Sequence, residues 1–306
     1  MKILVVGAGA IGGYFGGRLL EKGEDVTFLV RDRRKEELET TGLKIESVNG
    51  DCLLTPKLIT KNSEPEVYDV VLLSTKSYQL AGAIEDVGPF VGDETMVLPL
   101  LNGISHIDQL VEAFGEQSVI GGLCFVEATL GENGTIVQTS PLNQLVYGER
   151  IGEQSDRIKR LKQSFEGTKA EFILSDNINQ EMWHKYLFIT TMSGITTLFE
   201  EPIGPIRELE SGQRTIAALL KELEEVMAKF GAPIEQGISN KLLEKINSLG
   251  DGMKSSMQRD AEKSLPIEAD HLQGYLLERA RELGVGVPVL ETVYTKLKLY
   301  EKGVNN

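Results

Sequence analysis

An α/β fold, in which a doubly wound parallel sheet is followed by an all-helical domain, is predicted by three observations. Short apolar runs alternate with helical periods through the first half of the chain; a G-x-G-x-x-G turn separates the first strand from the first helix; and beyond residue 175 only helical periodicity remains. Lys2 to Val6 reads as the first strand, Gly7, Gly9 and Gly12 form the turn, a helix runs to Gly23, and Asp25 to Val30 resumes the sheet. Each glycine then has a separate task. Gly7 permits the tight turn, Gly9 lets the backbone approach a diphosphate, and Gly12 lets the helix lie close on the strand, so that the anion meets free N–H groups at a helix N-terminus. Strand, turn, helix and next strand at these distances read as a Rossmann-type dinucleotide unit, with a purely structural turn as the plainer alternative.

The end of the second strand bears on which dinucleotide is held. An acid there would accept hydrogen bonds from both ribose hydroxyls, but Val30 is followed by Arg31, Asp32, Arg33 and Arg34. Guanidinium groups suit a 2′-phosphate through charge-assisted bonds, so NADP(H) is the expected cofactor and Arg31 an expected contact. Asp32 could still turn back to the ribose, and all four charges could belong to a solvated loop.

At 306 residues the chain suits two domains with a cleft between them. Its 32 basic and 46 acidic residues give a net charge of −14, which argues against nucleic acid or an anionic membrane surface as the main partner. Cys52 and Cys124 are the only cysteines and lack C-x-x-C spacing, so neither a disulfide framework nor a thiolate metal centre is indicated, and a reducing cytoplasm fits. No cleavable signal is expected ahead of the first strand, and no apolar run reaches the roughly eighteen residues of a membrane span.

After the glycine turn, Val67 to Ser74, Thr95 to Leu100 and Ser118 to Phe125 read as further parallel strands of βαβ units. From Ala128 to Arg150 the runs are broken by Gly131, Asn133-Gly134 and Pro141, which predicts antiparallel strands added at the sheet edge. Ala170 to Leu174 is the last strand, and Ser175-Asp176-Asn177 reads as a hinge and helix cap. The expected domains are therefore 1–174 and 175–306. In the second, Gly212 to Phe230 carries Ile216, Leu219, Leu220, Leu223, Val226, Met227 and Phe230 on one stripe and stops at Gly231. Ile267 to Leu283 closes at Gly284, and Pro288 opens a last amphipathic helix, so a helical bundle is expected.

Ligands of doubly wound sheets sit beyond the carboxyl ends of the strands, which singles out Lys76 and the pair Asn102-Gly103. The lysine could reach cofactor phosphate or ribose, and the amide could bond both cofactor and substrate; each could equally be an exposed loop residue. Lys185 follows Trp183 and precedes Tyr186, Leu187, Phe188 and Ile189 in an apolar helix. Burial lowers a lysine pKa towards the range in which it can protonate a carbonyl oxygen, although its stem could instead pack while the head snorkels to water. Glu268 stands after Pro266 at a helix start, where the dipole favours an acid in any case, and His271 lies one turn on. His106, His184 and His271 show no carboxylate spacing of a metal site, and no G-x-S-x-G elbow is present.

Together and in this order, these signals resemble the ketopantoate reductase (2-dehydropantoate 2-reductase) family over nearly the whole chain. The resemblance rests on the opening V-V-G-A-G-A-I-G, Lys76, Asn102-Gly103, W-x-K at Trp183 to Lys185, S-S-M at Ser255 to Met257, and Ile267-Glu268, with Ser256 and Glu268 twelve apart. It implies that Gly7, Ala8, Gly9, Ala10, Ile11 and Gly12 hold the cofactor with Arg31 and Lys76. It further implies that Lys185 is the general acid and that Glu268 bonds the substrate hydroxyl or cofactor ribose. Ser256 would bind the substrate carboxylate, and Asn102 would orient substrate and nicotinamide.

The chain departs from the family pattern at three substrate amides: Ile189, Ser193 and Ile203 stand where that pattern has Asn, and Ser193 alone could still hydrogen-bond. Each lost bond costs about 0.5–1.5 kcal/mol, so the pocket is expected to be altered while the reductase machinery is kept. The expected activity is NADPH-dependent reduction of 2-dehydropantoate to (R)-pantoate, a step of pantothenate biosynthesis. The alternatives are the same chemistry on another 2-oxo acid or ketone, and a non-enzymatic NADPH sensor. A cytoplasmic protein acting on a small 2-oxo acid is expected, without metal, nucleic acid or membrane partner; the sequence leaves oligomeric state open, and the apolar helical domain is compatible with a homodimer.

Overall fold

The computed structural model describes residues 1–131, 133–152 and 154–304, and the chain forms two compact units, Met1–Leu101 with His106–Ile178 and Asn102–Ser105 with Asn179–Asn306. In the first unit the elements run β1 (Lys2–Val6), α1 (Ala10–Lys22), β2 (Asp25–Leu29), α2 (Asp32–Thr41), β3 (Leu43–Ser47), β4 (Cys52–Leu54), β5 (Lys57–Ile59) and β6 (Val70–Leu73). They continue with α3 (Leu80–Val87), β7 (Met96–Pro99), α4 (His106–Phe114), β8 (Gly121–Leu130), β9 (Ile136–Gly148), α5 (Asp156–Phe165) and β10 (Glu171–Leu174). One sheet has the order β5-β2-β1-β6-β7 with every pair parallel, as in Rossmann-type proteins. β6 and β7 are buried along their whole length because parallel strands are covered on both faces, which is why they read as unbroken apolar runs. The strand order reverses at β1, so the crevice beyond Val6 and Leu73 is the topological switch point.

The second sheet departs from expectation. Ser118 to Phe125 does not continue the parallel series: Val119 makes a single parallel bridge to Val97, and the strand proper, β8, pairs antiparallel with β9 in a separate sheet of order β10-β9-β3-β4. Gly121 and Gly122 stand at the crossing, and a Cβ on Gly122 would overlap Leu98 and come within 2.6 Å of the Pro99 carbonyl, so only a bare backbone can leave β7 by this route. Likewise the 128–150 segment is not an edge addition. β9 is a central strand, joined to β8 along one side and to β3 and then β10 along the other. Pro141 is tolerated because residues 139–142 bulge opposite residue 127 of β8, outside the paired register.

Helix α1 lies between the two sheets. Cβ atoms at Gly16 would meet Val5 and Phe28 of the first sheet, and at Gly13 and Gly17 would meet Ile136 and Ile45 of the second. Tyr14, Phe15 and Leu19 fill the intervening space in one core with Phe28, Ile45, Leu98 and Tyr147.

The second unit is helical: α6 (Ile178–Phe199), α7 (Ile203–Glu208), α8 (Glu210–Phe230), α9 (Ile238–Ser248), α10 (Ser256–Glu262), α11 (Tyr275–Glu282) and α12 (Pro288–Val304). On α8 the expected stripe from Ile216 to Met227 is buried, while Phe230 is partly exposed and packs on Trp183 with ring centroids 5.9 Å apart. α6 is buried on nearly every side from Thr190 to Thr197, where the hydroxyls of Thr191, Ser193 and Thr196 donate to backbone carbonyls three or four residues back. The helix expected from Ile267 is interrupted: a π-helical turn, Asp270–Gly274, precedes α11. Among the described residues no helix is long and apolar enough to cross a membrane.

Candidate active site

The glycine turn is built by backbone. Gly7 has φ +91°, a left-handed value that a side chain would strain, and its N–H donates to the Leu29 carbonyl at 3.0 Å. Gly9 caps α1 with no side-chain bond and has open space where a Cβ would stand, which leaves the helix N-terminus accessible to an anion. A Cβ on Gly12 would overlap both the Gly7 carbonyl oxygen and Ser74 Oγ, so this glycine is required by the approach of α1 to the loop after β6. Ser74 ties that loop to the turn, its hydroxyl donating to the Val6 carbonyl at 3.1 Å.

A cavity of about 570 Å³ opens at this point in the first unit. Gly7, Ala8 and Gly9 form one wall, and Arg31, Lys61 and Thr75 approach from the ends of β2, β5 and β6. Thr75 Oγ1 is buried without a hydrogen-bond partner, and together with the open cradle at Gly9 it is the kind of group a polar ligand would satisfy. Arg31, Asp32 and Arg33 are exposed, the first two on the cavity wall. Arg34 has a different job: it donates to the carbonyls of Ala8 (3.1 Å) and Gly134 (3.0 Å) and pairs with Glu37, strapping the glycine turn to the β8–β9 connection. Lys76 is half-buried and immediately precedes a 3-10 turn, Ser77–Gln79, with Thr75 and Gln79 lining the cavity to either side of it. Ala10 and Ile11 form the first turn of α1.

In the second unit Lys185 is 8% exposed, and its ammonium donates to Asn102 Oδ1 at 3.0 Å. It does not snorkel; its head group is kept in the interior on an amide acceptor. Asn102 belongs to the short loop Asn102–Ser105, which joins this unit although its neighbours in sequence belong to the sheet. His271, from the π-helical turn, bonds the same loop twice: Nε2 lies 2.6 Å from the Asn102 carbonyl oxygen and Nδ1 lies 2.9 Å from Ser105 Oγ. Burial holds this imidazole below its usual pKa, against the opposing influence of Glu268 and the Asn102 carbonyl. The next two residues of the turn also bind α6. The Leu272 carbonyl accepts from Tyr186 at 2.6 Å, and the Gln273 amide donates to the Thr190 carbonyl (3.0 Å) and to Ser193 Oγ (2.8 Å).

The other expected residues take varied places. Glu268 is half-buried, between the buried Ile267 and the π-helical turn. Ser256 is exposed at the first position of α10, whereas its neighbour Ser255 caps that helix by accepting from the Gln258 N–H and is 2.8 Å from Thr196 Oγ1. Ser193 is 3% exposed and its hydroxyl is engaged by Gln273 and by the Thr190 carbonyl. Ile189, one turn after Lys185 on α6, is half-buried; Ile203 is fully buried, with its N–H on the Met253 carbonyl. His184 accepts from the Glu235 N–H at 3.0 Å and is a structural acceptor. Sequence reasoning named His271 without giving it a role and passed over Gln273 and Thr75, because a single chain carries no sign of which loop a distant side chain will meet.

At the level of class, this is a Rossmann-type oxidoreductase fold carrying a helical second unit. Residues 3–152 match the family described as ketopantoate reductase PanE/ApbA, and residues 177–301 match the ketopantoate reductase PanE/ApbA C-terminal region. The chain belongs to this family. It is 47% identical over 301 residues to the uncharacterized oxidoreductase YkpB of Bacillus subtilis (strain 168), covering 98% of this chain and 99% of that one. The solved 2-dehydropantoate 2-reductase from Geobacter metallireducens GS-15 is 28% identical with a TM-score of 0.87, covering 98% of this chain and 99% of that one. The fold is also that of a D-mandelate dehydrogenase solved with NADH and anilino(oxo)acetate, at a TM-score of 0.89, 20% identity and full coverage of both chains.

Proposed function

We propose that this oxidoreductase is an NADPH-dependent 2-oxo acid reductase that converts 2-dehydropantoate to (R)-pantoate, the reaction its family name describes. The observation that carries the reading is the buried ammonium of Lys185 on Asn102 Oδ1. Reduced nicotinamide, when bound, supplies the hydride that the carbonyl carbon accepts. Lys185 donates a proton to the carbonyl oxygen as negative charge develops there, and is reprotonated from solvent after the alcohol forms. Asn102 holds the ammonium before substrate arrives, and its amide N–H₂ is left to donate to substrate or cofactor. Glu268 is assigned to the substrate hydroxyl or cofactor ribose and Ser256 to the substrate carboxylate, as in the family pattern. Ser193 is assigned to the substrate side of α6.

For the cofactor, the glycine turn from Gly7 to Gly12 would hold the diphosphate, and Lys76 a phosphate or ribose oxygen. The exposed Arg31 and nearby Lys61 supply positive charge suited to a 2′-phosphate, which supports NADPH over NADH. A second reading, reduction of a different 2-oxo acid with a more apolar side chain, is favoured by Ile189. It presents hydrocarbon one turn from Lys185, where the family pattern has an amide, while the Ser193 hydroxyl is already engaged by Gln273.

The test is to follow NADPH absorbance with purified protein and 2-dehydropantoate, beside a panel of 2-oxo acids with branched or aromatic side chains and with NADH as the alternative cofactor. Turnover of 2-dehydropantoate with preference for NADPH is expected. Turnover confined to an apolar panel member would establish the second reading, and tight NADPH binding with no turnover at all would defeat both.

A further inference from the structure

We propose that His271 is a positioning residue for the reduction, clamping the Asn102–Ser105 loop so that the Asn102 amide oxygen stays on the Lys185 ammonium; this rests on the reading of Lys185 as the proton donor. A carbonyl oxygen can only accept, so the 2.6 Å contact to Asn102 requires the proton on Nε2. In the neutral ring Nδ1 is then an acceptor, and the Ser105 hydroxyl at 2.9 Å donates to it. The ring thus holds the first and last residues of a four-residue loop. Between them Gly103 has φ +86°, and a Cβ there would stand 2.7 Å from Nε2 and 2.8 Å from Cδ2, so the loop lies directly against the imidazole.

The ring is itself referenced to the helix that carries the lysine. The residue after His271 offers its carbonyl to Tyr186, which adjoins Lys185, and the residue after that donates to Thr190. A π-helical turn makes this geometry available, because widening the turn re-aims consecutive groups at a neighbouring helix. Lys185, Asn102 and His271 come from three distant segments, and the imidazole fixes the backbone from which the amide projects. Without it the glycine-containing loop would sample other positions, and the Asn102 amide oxygen would leave the ammonium for part of the time. The effect falls on the chemical step, since pre-organisation of the proton donor is what is lost.

The experiment compares His271→Ala, His271→Gln and Lys185→Ala in the full chain, using NADPH and whichever 2-oxo acid the wild type reduces, with thermal unfolding as a check on folding. His271→Ala is expected to lower kcat about 10- to 100-fold, as misplacement of a catalytic group does, while the NADPH dissociation constant changes by less than about twofold. His271→Gln, which keeps a donor and an acceptor on one side chain, is expected to recover kcat to within about tenfold of wild type. If His271→Ala does not fold, Ser105→Ala decides: it removes the Nδ1 partner and keeps the imidazole, and a lower kcat at unchanged NADPH affinity is expected. Wild-type kcat in a folded His271→Ala, with Lys185→Ala inactive, would overturn the clamp and leave the role of Lys185 standing. A loss in both His271 variants seen only in KM would also overturn it, by showing a structural role alone. An active Lys185→Ala would instead remove the underlying reading, and the clamp with it.

Discussion

The glycine turn of the first unit and the lysine cluster of the second, the two regions proposed to hold ligands, are built in opposite ways. Residues 7 to 12 are contiguous, and they act through backbone N–H groups, a left-handed φ and the absence of side chains. Lys185 and His271 lie 83 and 169 residues from Asn102, and they reach its side-chain and backbone oxygens through their own side chains. A contiguous backbone site tolerates almost any sequence around it but no Cβ at Gly12; a convergent side-chain site depends on each of its remote supports.

The contrast is sharpest in kinetics against binding. Lys185→Ala is expected to reduce kcat about 10²- to 10⁴-fold, the usual worth of a positioned general acid, while NADPH still binds with near-wild-type affinity by fluorescence titration. Loss of cofactor binding in that variant would mean that the two regions are not energetically separate. The reciprocal change is Gly12→Val, which must push against the Gly7 carbonyl and Ser74. It should destabilise the fold by about 1–3 kcal/mol in urea unfolding and weaken NADPH binding together, as overpacking against backbone does. Stability retained with binding lost would show that Gly12 serves the ligand rather than the packing of α1.

A smaller effect separates charge from shape within the first unit. Arg31→Ala should raise the NADPH dissociation constant about 10- to 100-fold, the value of one hydrogen bond to a charged group, and leave NADH almost unchanged. An equal loss for both cofactors would place Arg31 on the ring or ribose and not on a phosphate.

The smallest effect concerns acid. Burial lowers the pKa of His184 and His271 below 6.5, so the unfolded chain binds more protons than the folded one as pH falls through about that value. Their contribution to stability is therefore full above about pH 6.5 and declines below it. The urea midpoint is expected to drop between about pH 7.5 and pH 5.5, before the carboxylates protonate, and to drop less in His184→Gln. His184 faces Glu235, Glu181 and Lys241, and His271 faces Glu268, so a flat profile would mean that those acids offset the burial.

Much of the first region was legible in the residues. Strand, turn and helix from Lys2 to Lys22 follow from apolar runs and glycine spacing, and the parallel strands at 70–73 and 96–99 from their unbroken apolar character. The antiparallel pairing around 128–138 was legible from its turn residues, but a separate second sheet was not, because Gly121 to Phe125 has the same apolar run as a parallel strand; Gly122 lies close against Leu98 and Pro99, and the strand pairs with β9 instead. Helix α8 and its stop at Gly231 were readable from period and cap, whereas the π-helical turn at 270–274 leaves no mark in the period.

For the chemistry, the chain alone established which residue types were present and in what order: a glycine turn that admits an anion, a lysine in an apolar helix, an Asn-Gly pair after a strand. These are local properties, dictated by conformational freedom and by the cost of burying charge. Whether Lys185 reaches water or an internal acceptor was settled only by folding, as were the engagement of Ser193 by Gln273, the diversion of Arg34 to the Ala8 and Gly134 carbonyls, and the meeting of His271 with Asn102. Such bonds join residues tens to hundreds of positions apart, and hydrogen bonding acts over about 3 Å, so only the packed chain can decide which of the available partners each polar group meets.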